Sequence, residues 1–401
     1  MQRRDKLIEA REKKHWSREE AGKTLGIDHN TLYRWESGRT MPHGYHIRKL
    51  CEMYGKSAEE LGLKEQPIEV PHAPPVSELF TTSSGIIDAP PFADVWAEDL
   101  LTIYARGIAA CQDLYYNGNP QHVEALLPLY SQQTALLAQQ TGPLHQAAAR
   151  LAAQAYQLTC ELATDREDFG TAKQAGQQAF IYAQRARDVN VQVHALISLA
   201  NLAWHLSSAQ SRFIQKHSKD ALQAYQQAVL LLDQNATPLL KGRTYAGMAE
   251  VYALRGQFQE AMRAMGLAYE HFPMKPEDDP AYPYVRASRY SLYVFGDAQA
   301  RLLLGQPKEA EHALIAMQKE THDPEIEPIT KVDLLYYQAE AKIQQGEIQP
   351  AMTILTEAAL LAKSLGSRLY FNKLAASYHQ LEKQWPKERV VTTVEEVFQP
   401  W

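Results

Sequence analysis

SREEAGKTLGIDHNTLYRWESGRTMP, residues 17–42, is the stretch on which the reading of this chain turns. Ser17 is a good helix N-cap, and Glu20 three places on completes a capping box. Ala21 and Leu25, four apart, line the inner face of the helix that begins there. Gly26 ends it, because a left-handed cap asks for a residue without a side chain. Ile27 anchors the turn that follows. Asp28 caps a second short helix, whose Leu32 and Trp35 face inward at a spacing of three. His29, Asn30, Tyr33 and Arg34 are left pointing outward. The indole of Trp35 is expected to plug the core, and the Glu36 carboxylate to tie a turn or pair locally.

Two short helices joined by a tight glycine turn, with a polar face on the second, make a helix-turn-helix. The charge around it has the matching sign. Residues 1–50 carry 12 Lys/Arg against 7 Asp/Glu, whereas residues 64–401 carry 28 against 37. A basic end on an acidic body points to a polyanion as partner of that end alone.

Further along, composition divides the 401 residues into three regions. Residues 1–63 are short amphipathic segments punctuated by Gly26, Gly38, Pro42, Gly44 and Gly55. Residues 64–92 hold six prolines and little helical period, as in an extended linker, with Ile68, Val70, Val76, Leu79 and Phe80 available to dock on a neighbour. From residue 93 to 401 the chain reads as long helices rich in Ala, Leu and Gln, with no alternating strand pattern. The fold class is all-α, and a helical chain of this length must hide its apolar faces by stacking.

A repeat at intervals of about 40–50 residues supplies that stack. Its clearest copy is GRTYAGMAEVYALRGQFQEAMRAMGLAYEHFP, residues 242–273. Ala249, Ala261 and Ala268 sit where two helices approach closely, beside the larger Tyr245, Tyr252 and Met265. Gly256 turns the chain and Pro273 stops the second helix. Ala298, Gly305, Ala310 and Leu314 repeat the pattern, as do Ala339, Gly346, Ala351, Leu355 and Ala358. Ala172 and Ala179 suit one upstream second helix, and Ala221, Tyr225 and Ala228 another. An insertion, SSAQSRFIQKH, interrupts the hairpin around 192–234, and a last hairpin at about 366–398 is expected to cap the stack.

The first segment resembles the Xre/lambda-repressor-like helix-turn-helix family. Ser17, Glu19, Leu25, Gly26, Ile27, Thr31, Leu32, Trp35, Glu36, Gly38 and Pro42 carry the resemblance, which runs through a helix at 45–54 to SAEELGL at 57–63. It implies a five-helix DNA-binding domain whose second motif helix enters the major groove of double-stranded DNA. His29, Asn30, Tyr33 and Arg34 then face base edges, Asn30 suiting adenine and Arg34 guanine or phosphate. Arg18, Arg39 and Thr40 suit phosphate contacts, and Asp28 and Thr31 complete the DNA-binding set. Two residues depart from the family pattern. Arg18 stands for the usual glutamine, and Gly22 for the usual alanine, at a cost of about 1 kcal/mol of helix propensity.

The repeats resemble the tetratricopeptide repeat, an α-solenoid whose first helices line a groove. That frame assigns His194, Ile197, Asn201 and Trp204 to the lining, then Arg243, Ala246 and Glu250, then Leu292, Phe295 and Gln299, and finally Asp333, Tyr336 and Glu340. Amide, charged and aromatic groups in this mixture suit an extended peptide. The two halves together resemble the peptide-sensing RRNPP-type regulators. The resemblance implies a homodimer whose repeat domain binds a peptide or small-molecule ligand and so changes operator affinity. The rival readings are a scaffold protein localised by its first domain, or a phage-repressor-like or antitoxin-like autoregulator.

Other classes find little support. No apolar run reaches the ~18–20 residues of a membrane span, and the charged N-terminus lacks the apolar stretch of a signal peptide. Cys51, Cys111 and Cys160 are odd in number and widely spaced, without the pattern of a zinc site or a disulfide scaffold, so a reducing cytoplasm is expected. Glycine-rich phosphate loops, HExxH and GxSxG are missing, and His312 and His322 lack ligand spacing. The expectation is a regulator with no catalytic residues, no metal and no cofactor.

Overall fold

The computed structural model describes residues 4–40, 42, 44–63, 93–209, 214–320 and 326–399. The Pro-rich segment 64–92 and residues 210–213 of the insertion lie outside the described residues. The chain divides into two compact units, Met1–Asp88 and Ala89–Trp401. Every element within the described residues is helical or a turn.

In the first unit, α1 (Asp5–Lys13), α2 (Arg18–Leu25), α3 (His29–Glu36) and α4 (Gly44–Tyr54) surround one apolar core. Leu7, Leu25, Leu32, Leu50 and Leu61 are fully or almost fully buried in it, with Trp35 beside them. The sequence signals act locally as the residue chemistry requires. The Ser17 hydroxyl accepts from the Glu20 amide at 3.1 Å while the Glu20 carboxylate accepts from the Ser17 amide at 2.7 Å. Gly26 closes α2 at φ +75°, and the Asp28 carboxylate accepts from the Asn30 amide at 2.7 Å at the start of α3. After α4 the chain forms a capped turn at 58–62, held by a Ser57–Glu60 capping pair, where a fifth α-helix was expected. Leu61 and Leu63 of that turn still reach the core.

The second unit is a stack of helix pairs. α5 (Ala93–Tyr116) packs on α6 (Pro120–Gln139), α7 (His145–Asp165) on α8 (Phe169–Ala186), α9 (Val189–Ala209) on α10 (Ile214–Leu232), and α11 (Pro238–Leu254) on α12 (Phe258–His271). After a short turn of helix, α13 (Tyr282–Val285), the next inner element runs from α14 (Arg289–Ser291) through a π-helical stretch, Leu292–Ala298, into α15 (Gln299–Leu303). It pairs with α16 (Pro307–Glu320). α17 (Pro328–Gln345) with α18 (Ile348–Leu365), and α19 (Arg368–Gln384) with the short α20 (Arg389–Thr392), finish the stack.

Small residues set the spacing of each pair. Ala172, Ala179, Ala221, Ala228, Ala249, Ala261, Ala268, Ala298, Ala310, Ala339, Ala351 and Ala358 are all completely buried. Gly256, Gly305 and Gly346 turn the chain between paired helices at φ between +69° and +79°. Gly247 serves a different end: Tyr225 lies over its Cα where any side chain would stand. That close approach carries the Tyr225 hydroxyl to the side-chain oxygen of Asn201, 2.8 Å away.

The stack closes on itself. α7 meets α19, where the Ser367 hydroxyl donates to Asp165, the Arg166 guanidinium donates to the Gly366 carbonyl, and the Asn372 amide donates to Glu167 at 2.6 Å. Ile329 of α17 packs against the cluster built around Ile108, Cys111 and Leu127. The last hairpin, expected at about 366–398 as the cap of the stack, is formed by α19 and α20, and α19 also packs back on α7.

Candidate nucleic-acid interface and interior chamber

The exposed face of α3 is the first site. His29, Asn30, Tyr33 and Arg34 are exposed as expected, Thr31 is half-buried, and Asp28, whose carboxylate caps the helix, lies 3.5 Å from the His29 ring nitrogen. The chain then folds back over the end of α3, so that the Arg34 carbonyl accepts from the Arg39 amide at 2.9 Å and the Thr40 amide at 3.3 Å. This return brings Arg39 beside Tyr33. The Tyr33 ring carries two guanidinium groups, Arg18 at 5.2 Å and Arg39 at 5.7 Å, both within cation–π range.

Behind the face, Glu36 is buried at 1% exposure and holds the helices in register. Its carboxylate accepts from Arg11 Nε of α1 at 2.6 Å and from Arg18 Nε of α2 at 2.7 Å. The expected local pairing of Glu36 is therefore corrected, because its partners lie 25 and 18 residues away. Arg4 adds a second clamp, donating to the Trp35 carbonyl at 2.6 Å and the Thr40 carbonyl at 2.7 Å. Part of the basic excess of residues 1–50 is thus structural, and Arg18 serves both Glu36 and the exposed face. Gly22 also has a local reason. An added Cβ would stand 2.9 Å from the Ile27 carbonyl oxygen, so the turn is packed directly on α2.

The second site lies inside the helix stack. Three adjoining cavities, of about 160, 710 and 120 Å³, are lined from the inner helices. They share His205, and Asn201, Arg243, Asp333 and Tyr370 each line two of them. His194, Ile197, Asn201, Trp204, Arg243, Glu250, Gln299, Asp333, Tyr336 and Glu340, assigned to the groove by the repeat frame, all line this chamber. Ala246 and Leu292 do not, being fully buried in the helix-packing core. The Phe295 side chain lies outside the described residues.

Glu161, Asp165, His205, Tyr370, Lys373 and Ser377 also line the chamber and were missed. Glu161 and Asp165 lie on α7 and Tyr370, Lys373 and Ser377 on α19, helices outside the repeat frame's lining assignments, whereas His205 lies one residue beyond Trp204 on α9.

Burial sets the protonation of these groups. It pushes Glu161 up to about 7, Asp165 to about 6, Asp333 to about 7 and Glu250 to about 8, against the opposing pull of nearby cations and hydrogen bonds. The same burial, with Arg243 nearby, pushes His194 down to about 3, and burial near Lys373 drives His205 well below its ordinary value. Direct bonds tie several walls together: Tyr370 donates to Asp333 Oδ2 at 2.6 Å, Tyr337 to Gln299 at 2.6 Å, and Ser377 to Glu340.

Residues 7–61 match the family model described as helix-turn-helix. No curated protein matches the chain. The first unit is accordingly an Xre-type helix-turn-helix domain, a DNA-binding module of transcription regulators, followed by a long region of paired helices. Among the described residues no helix is long and apolar enough to cross a membrane, and no cluster of three or more His, Cys, Asp or Glu has a metal-binding arrangement.

Proposed function

We propose that the protein is a sequence-specific transcriptional regulator in which α3 reads the major groove and the helix stack binds an effector and joins two copies. One observation carries the first part. The polar face of α3 stands clear of the core, while Glu36 behind it fixes the helix to α1 and α2. A groove-reading helix needs this combination, because base contacts discriminate only when the side chains arrive in fixed register. His29, Asn30, Tyr33 and Arg34 then meet base edges. Arg18, Arg39 and Thr40 flank them at the height of the phosphates, with Asp28 and Thr31 at the helix start.

The chamber supports effector binding. Its largest part falls within the roughly 300–1,000 Å³ of small-ligand sites. Its walls come from helices far apart in sequence, so an occupant touching α7, α11 and α19 together alters the closure of the stack. That geometry favours a peptide or small molecule over a folded partner, and with it the sensing reading over the scaffold reading. The regulator is a homodimer in this reading, as the resemblance to tetratricopeptide-repeat and peptide-sensing regulators implies. A dimer presents two α3 helices to half-sites about one helical turn apart.

Genome-wide footprinting tests the reading directly. A palindromic site, bound in a salt-dependent way and lost when Asn30 and Arg34 are both changed to Ala, is the expected result. Absence of duplex affinity even at low salt would overturn it.

A further inference from the structure

The chamber is short of positive charge. Glu161, Asp165, Glu167, Glu250, Asp333 and Glu340 line its cavities, against Arg243, Arg286 and Lys373. Arg286 is already bonded to Asp113, which is not part of the lining. Asp333 is the sharpest case. It is 1% exposed and lines two of the cavities, and Oδ2 accepts from Tyr370, yet Oδ1 has no hydrogen-bond partner among the described residues. His194, at 5% exposure, leaves its Nδ1 unsatisfied in the same wall. A buried acceptor without a donor is costly, and a charged donor is the strongest group that relieves it.

Other occupants fit less well. An anion would add to the excess of carboxylates. A wholly apolar ligand would cover Asp333 Oδ1 and leave it unsatisfied. A cation meets both demands, and Tyr116, Tyr336, Tyr337 and Tyr370 line the cavities, where the Tyr336 and Tyr370 rings already stand within cation–π range of the Lys373 ammonium.

We propose that the chamber takes a cationic ligand, an amine or guanidinium group donating to Asp333 within the wall it shares with Glu250. This rests on the reading of the chamber as an effector site. The raised carboxylates agree with it, since each ionises more readily once a cation is seated beside it. The cation is either a basic side chain of a peptide or a free polyamine, and the chemistry seen by Asp333 is the same.

The test uses the intact chain at physiological salt. It is immobilised and offered an equimolar random hexapeptide pool, and retained peptides are sequenced by mass spectrometry. In parallel, spermidine is titrated calorimetrically. Retained peptides enriched in Lys and Arg identify a peptide source, and spermidine binding without peptide enrichment identifies a free amine. Either signal should fall about tenfold or more in Asp333→Asn, the loss expected for a charge-assisted bond. Glu250→Gln should weaken it in the same direction, and thermal melts confirm that both variants fold. Basic peptides retained equally by a folded Asp333→Asn chain would overturn the proposal. Peptides retained without basic enrichment, and no spermidine binding, would overturn the cation while leaving the sensing reading intact. No retention of any kind would sink both.

Discussion

Glu36 shows how much of a DNA-reading surface is decided behind it. The carboxylate is buried against two guanidinium groups, one of which, Arg11, is itself only 7% exposed. Removing one partner of such a pair strands the other charge, at about 3–5 kcal/mol. Glu36→Ala should therefore lower hydrogen-exchange protection of α1 and α3 amides by that amount in the full chain. A change below about 0.5 kcal/mol, ordinary for a surface site, would mean the network does not hold α3. Gly22 makes the opposite point about propensity. Alanine at an exposed helical position gains about 1 kcal/mol over glycine. Here the added Cβ meets the Ile27 carbonyl oxygen at 2.9 Å, so Gly22→Ala should lower the unfolding midpoint of this unit rather than raise it. Both effects escape sequence reasoning for the same reason. The partners of Glu36 sit on α1 and α2 with no spacing rule connecting them, and the crowding at Gly22 depends on how the turn packs.

At the scale of the element, α3 divides labour along its length. Asn30 stands near its start, and if its amide reads one base as proposed, Asn30→Ala should cost about 1–3 kcal/mol at the preferred operator and relax specificity at one position. Arg39 lies in the returning loop beside Tyr33 and is proposed to meet phosphate rather than bases. Arg39→Ala should weaken binding to every duplex alike and reduce the slope of log affinity against log salt by about 1. Titrations at several salt concentrations on matched and mismatched duplexes separate the two outcomes. If Arg39→Ala changed sequence preference instead, the assignment of roles would be reversed. The helices themselves were legible because their signals are local: the Ser17–Glu20 box, the Gly26 cap, the Asp28 cap and the buried alanines of each hairpin all fall where residue chemistry places them. The capped turn at 58–62 was not, because a capping pair looks the same in sequence whether one turn follows it or several.

For the molecule as a whole, the closed stack governs the chemistry of its interior. The inner-helix frame named residues on α9, α11, α15 and α17 that line the chamber. It could not name Asp165 or Lys373, because closure accumulates from small rotations between successive pairs and leaves no mark on any single one. Burial of these groups has a measurable result. Asp165, Glu161, Asp333 and Glu250 titrate in the folded state between about 6 and about 8, above their ordinary values, with Arg243 and Lys373 as the nearby cations. Their contribution to stability is fully present at acid pH and is lost as pH rises through that range. His194, lowered from 6.5 to about 3, acts oppositely and contributes fully only above 6.5. Above about pH 6.5 the histidine gain is largely complete while the carboxylate loss continues, so the thermal midpoint of residues 93–401 should fall between about pH 6.5 and 8 and level off beyond. A flat midpoint would contradict it, and a seated cation should flatten the fall.

A linear array of helical repeats has two raw ends, and each can peel away without disturbing the middle. The bonds of Ser367 to Asp165, Arg166 to Gly366 and Asn372 to Glu167 tie the far end of this array back to its second pair. To fray anywhere it must first be unlocked at one seam, so its melting should resemble the snapping of a clasp more than the unzipping of a row.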